Sequence, residues 1–163
     1  MHPLVILRYA QATITDAVKD LPDAEWDTPN VCGVWSVKQI IGHLIGWEHY
    51  YVEFLAPFAG ETMPTPHMDD YKALDEQAFN DKYGTAASSR TPTDLMAEFQ
   101  AAYEQSIELA AKIPAETWHQ LGTLPWNAEG DLEDFAVYGQ YGHKYEHAAQ
   151  IVVFRDQLKR AKA

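Results

Sequence analysis

Residues 142–151 read Gly142-His143-Lys144-Tyr145-Glu146-His147-Ala148-Ala149-Gln150-Ile151, a run with helical character that carries two histidines one turn apart. Side chains four apart on a helix leave the same face about 6 Å from each other, so both imidazoles can reach one metal ion. Extended backward, the pattern becomes Leu132, Phe135, Gly139, His143, His147, Ile151 and Phe154, and predicts a long helix from about Leu132 to the C-terminus. A pair of imidazoles needs a third ligand from elsewhere. The best candidate is His43, which interrupts a helical face otherwise built from Ile40, Trp47 and Phe54. An imidazole turned toward a core requires a partner.

Three further helices follow from the rest of the chain. Leu4, Leu7, Ile14, Val18 and Leu21 have helical spacing, stopped by Pro22 and Asp23. Ser36 and Gln39 form a capping box at the start of a second long helix, Val37 to about Phe58, which carries His43. Thr91-Pro92-Thr93-Asp94 opens a third, with the stripe Met96, Phe99, Tyr103, Ile107 and Ala110, and Pro114 closes it. Between the second and third, a shorter and more polar helix is expected from Asp69 to Tyr83. The turn after the first helix, Leu21-Pro22-Asp23-Ala24-Glu25-Trp26, is echoed after the third by Ile113-Pro114-Ala115-Glu116-Thr117-Trp118. If the chain is two related halves, the second and fourth long helices are equivalent and their histidines meet in the core.

Composition narrows the function. A chain of 163 residues with 47% hydrophobic content supports one domain, 1–163, with a core that needs no staples. Twelve Lys and Arg against 24 Asp and Glu leave a net charge of -12, which speaks against nucleic acid or an anionic membrane as partner. Cys32 is the single cysteine, so an intrachain disulfide and a thiolate metal cage are both excluded, and a cytoplasmic setting is expected. The N-terminal apolar run is broken by Arg8 and reads as neither signal peptide nor membrane span. A P-loop, a dinucleotide-binding glycine turn and a nucleophile elbow are all missing.

Trp35-Ser36-Val37-Lys38-Gln39-Ile40-Ile41-Gly42-His43-Leu44, followed by His143 and His147 four apart, resembles the DinB superfamily over nearly the whole chain. The start of the second helix is also similar to its ClbS/DfsB-like and YfiT-like branches. The resemblance implies an all-α four-helix bundle with up-down-down-up connectivity, often a homodimer. It also implies a three-histidine metal site, which maps onto His43, His143 and His147. In the YfiT-like branch it implies thiol transfer with a low-molecular-weight thiol.

Three neutral imidazoles suit zinc, nickel or iron, and affinity order does not separate these. Three protein ligands leave coordination open for water, whose pKa zinc lowers to about 7, or for a thiol. Gly46 and Gly139 lie one turn from His43 and His143 and offer room for a substrate, or else close helix approach. Trp47, Tyr50, Tyr138 and Tyr141 offer an aromatic wall, although such stripes are more often plain core. Glu146 completes an H-x-x-E-H, the element of inverzincin proteases, but only 16 residues follow His147 to supply their further acidic ligand. It stays a weak candidate base. Glu116-Thr117-Trp118-His119 gives one E-x-x-H where di-iron bundles need two. His2, His49, His67 and His119 read as surface or loop residues, with His67 a reserve ligand. Two functions are expected from this: a metalloenzyme acting with water or a small thiol on a small-molecule substrate, or a bundle that sequesters a small molecule without catalysis.

Overall fold

Ser36 begins the second helix as its sequence requires: the hydroxyl accepts from the Gln39 N–H, and Gln39 Oε1 accepts from the Ser36 N–H at 3.0 Å. The computed structural model describes residues 2–161, and all its regular elements among these are helical. Helix α1 spans Pro3–Val18, α2 Val37–Leu55, α3 Pro66–Ala73, α4 Glu76–Ala86, α5 Pro92–Lys112 and α6 Ala115–Trp118. The last helical run has three parts: one turn of α-helix, α7, at Leu132–Asp134, a π-helical segment at Phe135–Gly142, and α8 at His143–Ala161. No helix of the described residues is long and apolar enough to cross a membrane.

The structure refines several expected boundaries. Helix α1 ends at Val18, and Pro22 instead leads into a 3-10 turn at Asp23–Glu25. The single short helix expected between the second and third long ones is two, because Leu74 is extended and Asp75 caps a new start by accepting from the Ala78 N–H at 2.7 Å. The fourth long helix is not α throughout. Its expected extension over residues 162–163 lies outside the described residues.

Helix α2 is central: it packs on α5 along one side and on α3 and α4 along another, and it touches α8. Helix α1 packs on α8, on the π segment and on α5. Ile40, Ile41, Tyr51, Leu55 and Phe99 are fully buried in this packing, each contributing about 1.5–3 kcal/mol relative to exposure. The Pro-to-Trp echo has matching surroundings, since Trp26 and Trp118 each end a short turn after a proline and each is buried in the core. Gly42 and Gly46 let α4 lie close against α2. A Cβ at Gly42 would stand 2.6 Å from the Tyr83 carbonyl oxygen, and one at Gly46 2.6 Å from Tyr83 Cγ.

A buried ion pair ties α8 to α2. Lys144 Nζ meets Glu48 Oε2 with both side chains almost wholly out of solvent, and Lys144 also lies over the Phe99 ring. Its neighbour in sequence, His143, therefore leaves α8 from a position fixed by a charge pair in the core.

Candidate metal centre

His43 leaves the middle of α2, and His143 and His147 leave the first turns of α8, directly after the π segment. Their rings converge through the same atom. His43 Nε2 stands 2.8 Å from His143 Nε2, and His147 Nε2 stands 3.2 Å from it. All three ligand atoms lie within 4.8 Å of one another, and among the described residues this is the one group of three or more His, Cys, Asp or Glu side chains with such geometry. His43 and His147 are buried and His143 is half-buried, so the open side of the cluster is at His143.

The hydrogen bonds around the rings favour lone pairs at the centre. His147 Nδ1 lies 2.8 Å from Gln150 Oε1, an acceptor, which assigns the ring proton to Nδ1 and leaves Nε2 bare. His43 Nδ1 is buried without a hydrogen-bond partner. Protons alone satisfy such a cluster only in part, because one N–H on His143 can serve a single neighbour while the other nitrogen still faces it. A cation meets all three at once. Neighbouring nitrogens in a tetrahedral zinc site stand about 3.3 Å apart, near the 3.2 Å between His143 and His147 and somewhat above the 2.8 Å between His143 and His43.

The electrostatics agree. Burial, reinforced by His143 and His147 and offset in part by Asn80, pushes His43 down to about 2. Burial, with His147 and Lys144, brings His143 down to about 3. Burial also lowers His147, against the opposing pull of Gln150 and Glu146. All three are neutral at physiological pH and available as ligands.

One hollow opens from the cluster, and a second adjoins the first. The first, about 310 Å³, is lined by the three histidines with Trp35, Asn80 and Glu146 among others. The second, about 460 Å³, has walls of Trp47, Tyr50, Tyr71, Trp126, Phe135 and Tyr138. Trp47, Phe135 and Gly139 line both, so the two hollows meet at these residues. Trp47 is held by its indole N–H, which donates to Asn80 Oδ1 at 2.9 Å, and its ring stands edge-on to His143.

The expected substrate residues divide accordingly. Trp47, Tyr50, Tyr138 and Gly139 line the hollows. Gly46 does not: its missing side chain accommodates Tyr83 of α4, so it serves helix approach. Tyr141 lines a separate depression with Ile6, Tyr9 and Val137. Glu146 is exposed at the rim of the first hollow. His67 is no reserve ligand, because its Nδ1 is engaged by Glu53 at 2.6 Å and its ring stacks between His49 and Tyr83. Cys32 lies near Gln150 and Glu146, and burial pushes its thiol up, which keeps it protonated rather than nucleophilic.

Gln150, Asn80, Tyr71, Trp126 and Asp134 were not singled out by the sequence. Gln150 carried a usable signal, standing three residues after His147 on the same helix. Tyr71, Asn80 and Trp126 come from α3, α4 and a loop, whose placement no periodicity gives, and Asp134 ends α7 as a polar residue off the apolar stripe.

The chain has relatives of known sequence and fold. Two proteins named "Putative metal-dependent hydrolase", from Bacillus cereus (strain 03BB102) and Bacillus anthracis (strain A0248), are each 25% identical to this chain over 148 residues, covering 89% of it and 79% of their own length. A crystal structure of a Streptococcus pneumoniae protein superposes with a TM-score of 0.78 at 10% identity, over 94% of this chain and 88% of that one, which places the fold. The family model of the DinB superfamily matches residues 6–151, a span that includes all three histidines. This chain belongs to the DinB superfamily.

Proposed function

We propose that the protein is a metal-dependent hydrolase in which His43, His143 and His147 hold one divalent transition ion, zinc, nickel or iron, at the centre of a four-helix bundle. The bundle in this reading consists of α1, α2, α5 and the π-to-α8 run, connected up-down-down-up. The observation that carries the proposal is the meeting of three neutral Nε2 atoms at the wall of an open hollow. The names of the Bacillus relatives support the same class.

A divalent ion held here supplies the Lewis acidity that makes water a nucleophile near neutral pH. The chain supplies the rest. Gln150 fixes the tautomer of His147, and Trp47, anchored by Asn80, closes one side of His143. Glu146 and Glu76 are the carboxylates that line the cluster's hollow, and in this reading one of them takes the proton. Water fits better than a low-molecular-weight thiol as the nucleophile. Thiols built on amino acids or organic acids carry carboxylates, and no Lys or Arg is among the residues lining either hollow.

The test is hydrolysis of a panel of aryl esters and amides by protein reconstituted with zinc, nickel or iron. Turnover should disappear with chelator and in His43→Ala, and return on adding metal to the wild type alone. Glu146→Gln should lower kcat by about 10²-fold or more if Glu146 is the base. Turnover unchanged by chelation or by His43→Ala would defeat the proposal and favour sequestration of a small molecule.

A further inference from the structure

The second hollow says what kind of molecule reaches the cluster. Its walls are six aromatic rings on four separate parts of the chain: Trp47 and Tyr50 on α2, Tyr71 on α3, Trp126 in a loop, and Phe135 and Tyr138 on the π segment. Two of these rings are far more open to solvent than core packing would leave them, Trp126 at 54% and Tyr138 at 74% exposure. Large aromatic side chains left bare around a concavity mark a surface that something else covers.

Charge decides between candidates. Apart from the tyrosine hydroxyls and the indole N–H groups, the polar side chains in this wall are Asn127 and Asp134. Asp134 uses Oδ2 to accept from the Asp131 N–H at 3.2 Å in a capping box, so its carboxylate is held in place at the hollow. The adjoining hollow adds Glu76 and Glu146. Neither wall contains a Lys or Arg, and the whole chain carries -12. In the metal-free protein, a ligand with its own carboxylate, sulfonate or phosphate would meet fixed negative charge with no counter-ion. A neutral ring system gains contact with the aromatic walls, and a cationic one also gains attraction to ring faces and to Asp134.

We infer that the substrate is an aromatic molecule whose ring system carries no negative charge, seated among Trp47, Tyr71, Trp126, Phe135 and Tyr138, with its reactive group reaching past Gly139 to the histidines. The catalytic half of this rests on the proposed hydrolase reading. The binding half does not, since the aromatic walls belong to the chain alone.

Isothermal titration calorimetry tests it with three probes of one shape: β-naphthol, (β-naphthylmethyl)trimethylammonium and β-naphthalenesulfonate, each against metal-free and zinc-reconstituted protein. In the metal-free protein the neutral and cationic probes should bind and the sulfonate should bind at least tenfold more weakly. Tyr138→Ala, a change at an exposed ring, should weaken the neutral probe at least threefold without altering the melting temperature. A sulfonate less than tenfold weaker, an unchanged affinity in Tyr138→Ala, or no binding of β-naphthol up to millimolar concentration would each overturn the inference. Failure of the metal reading would appear separately, as absence of zinc uptake, and would leave the metal-free ranking intact.

Discussion

Gln150 is the residue on which the chemistry of His147 turns. With its side-chain carbonyl 2.8 Å from Nδ1 it orients the ring and directs the lone pair of Nε2 inward. Removing such a support weakens metal binding by about 10- to 100-fold in other metal sites. Gln150→Leu should therefore lose that much zinc affinity in a chelator competition with helicity retained, while Gln150→Glu, which keeps an acceptor, should stay near the wild type; equal affinity in Gln150→Leu would remove the residue from this role. Lys144 carries a different burden. Lys144→Ala leaves Glu48 charged and buried, and should cost about 3–5 kcal/mol in denaturant unfolding, whereas Glu48→Leu with Lys144→Met together should recover most of it. The histidines themselves were legible because spacing puts His143 and His147 on one face. Lys144 was not, since a lysine in a helical pattern reads as solvated and only the packed structure places Glu48 opposite it.

The π segment is the element whose consequences reach furthest. Its sequence, Phe135-Ala136-Val137-Tyr138-Gly139-Gln140-Tyr141-Gly142, fits a 3.6-residue period well enough to be read as α-helix, and hydrophobic periodicity cannot distinguish a wider turn. In the wider turn Phe135 swings against the Cα of Gly139, where any Cβ would collide with its ring. Gly139→Ala should therefore displace Phe135, lower stability by about 1–3 kcal/mol as overpacking does, and weaken aromatic probes. If stability and probe affinity are both unchanged, the glycine has no such constraint. The four long helices were legible from caps and stripes. The division of the short polar helix into α3 and α4 was not, because it depends on Asp75 acting as an N-cap in a stretch with little apolar pattern to mark it.

At the scale of the whole molecule, three imidazoles held below their unfolded pKa make stability depend on pH. In the unfolded chain each titrates near 6.5, whereas in the fold His43 and His143 remain neutral down to about 2 and 3. The unfolded state thus binds more protons in between, and the fold is destabilised as pH falls below about 6.5. Each such histidine contributes a slope of about 1.4 kcal/mol per pH unit in that window. Metal-free protein should lose stability steeply from pH 6 to 4 in urea titrations, and His143→Ala should show a shallower slope; equal slopes would mean that His143 is accessible to protons in the fold. A bound ion raises stability over the same range by binding only the folded state, and that gain fades as acid competes for the imidazoles.

The central claim is that the three histidines form a metal site, and elemental analysis of protein purified without affinity tag or chelator tests it most directly. The measurement compares wild type with His143→Ala, with circular dichroism on both. Near one transition ion per chain in the wild type, lost from a variant that keeps its helicity, is the predicted result. No metal in the wild type even after incubation with zinc or nickel, or equal metal in the variant, would contradict it.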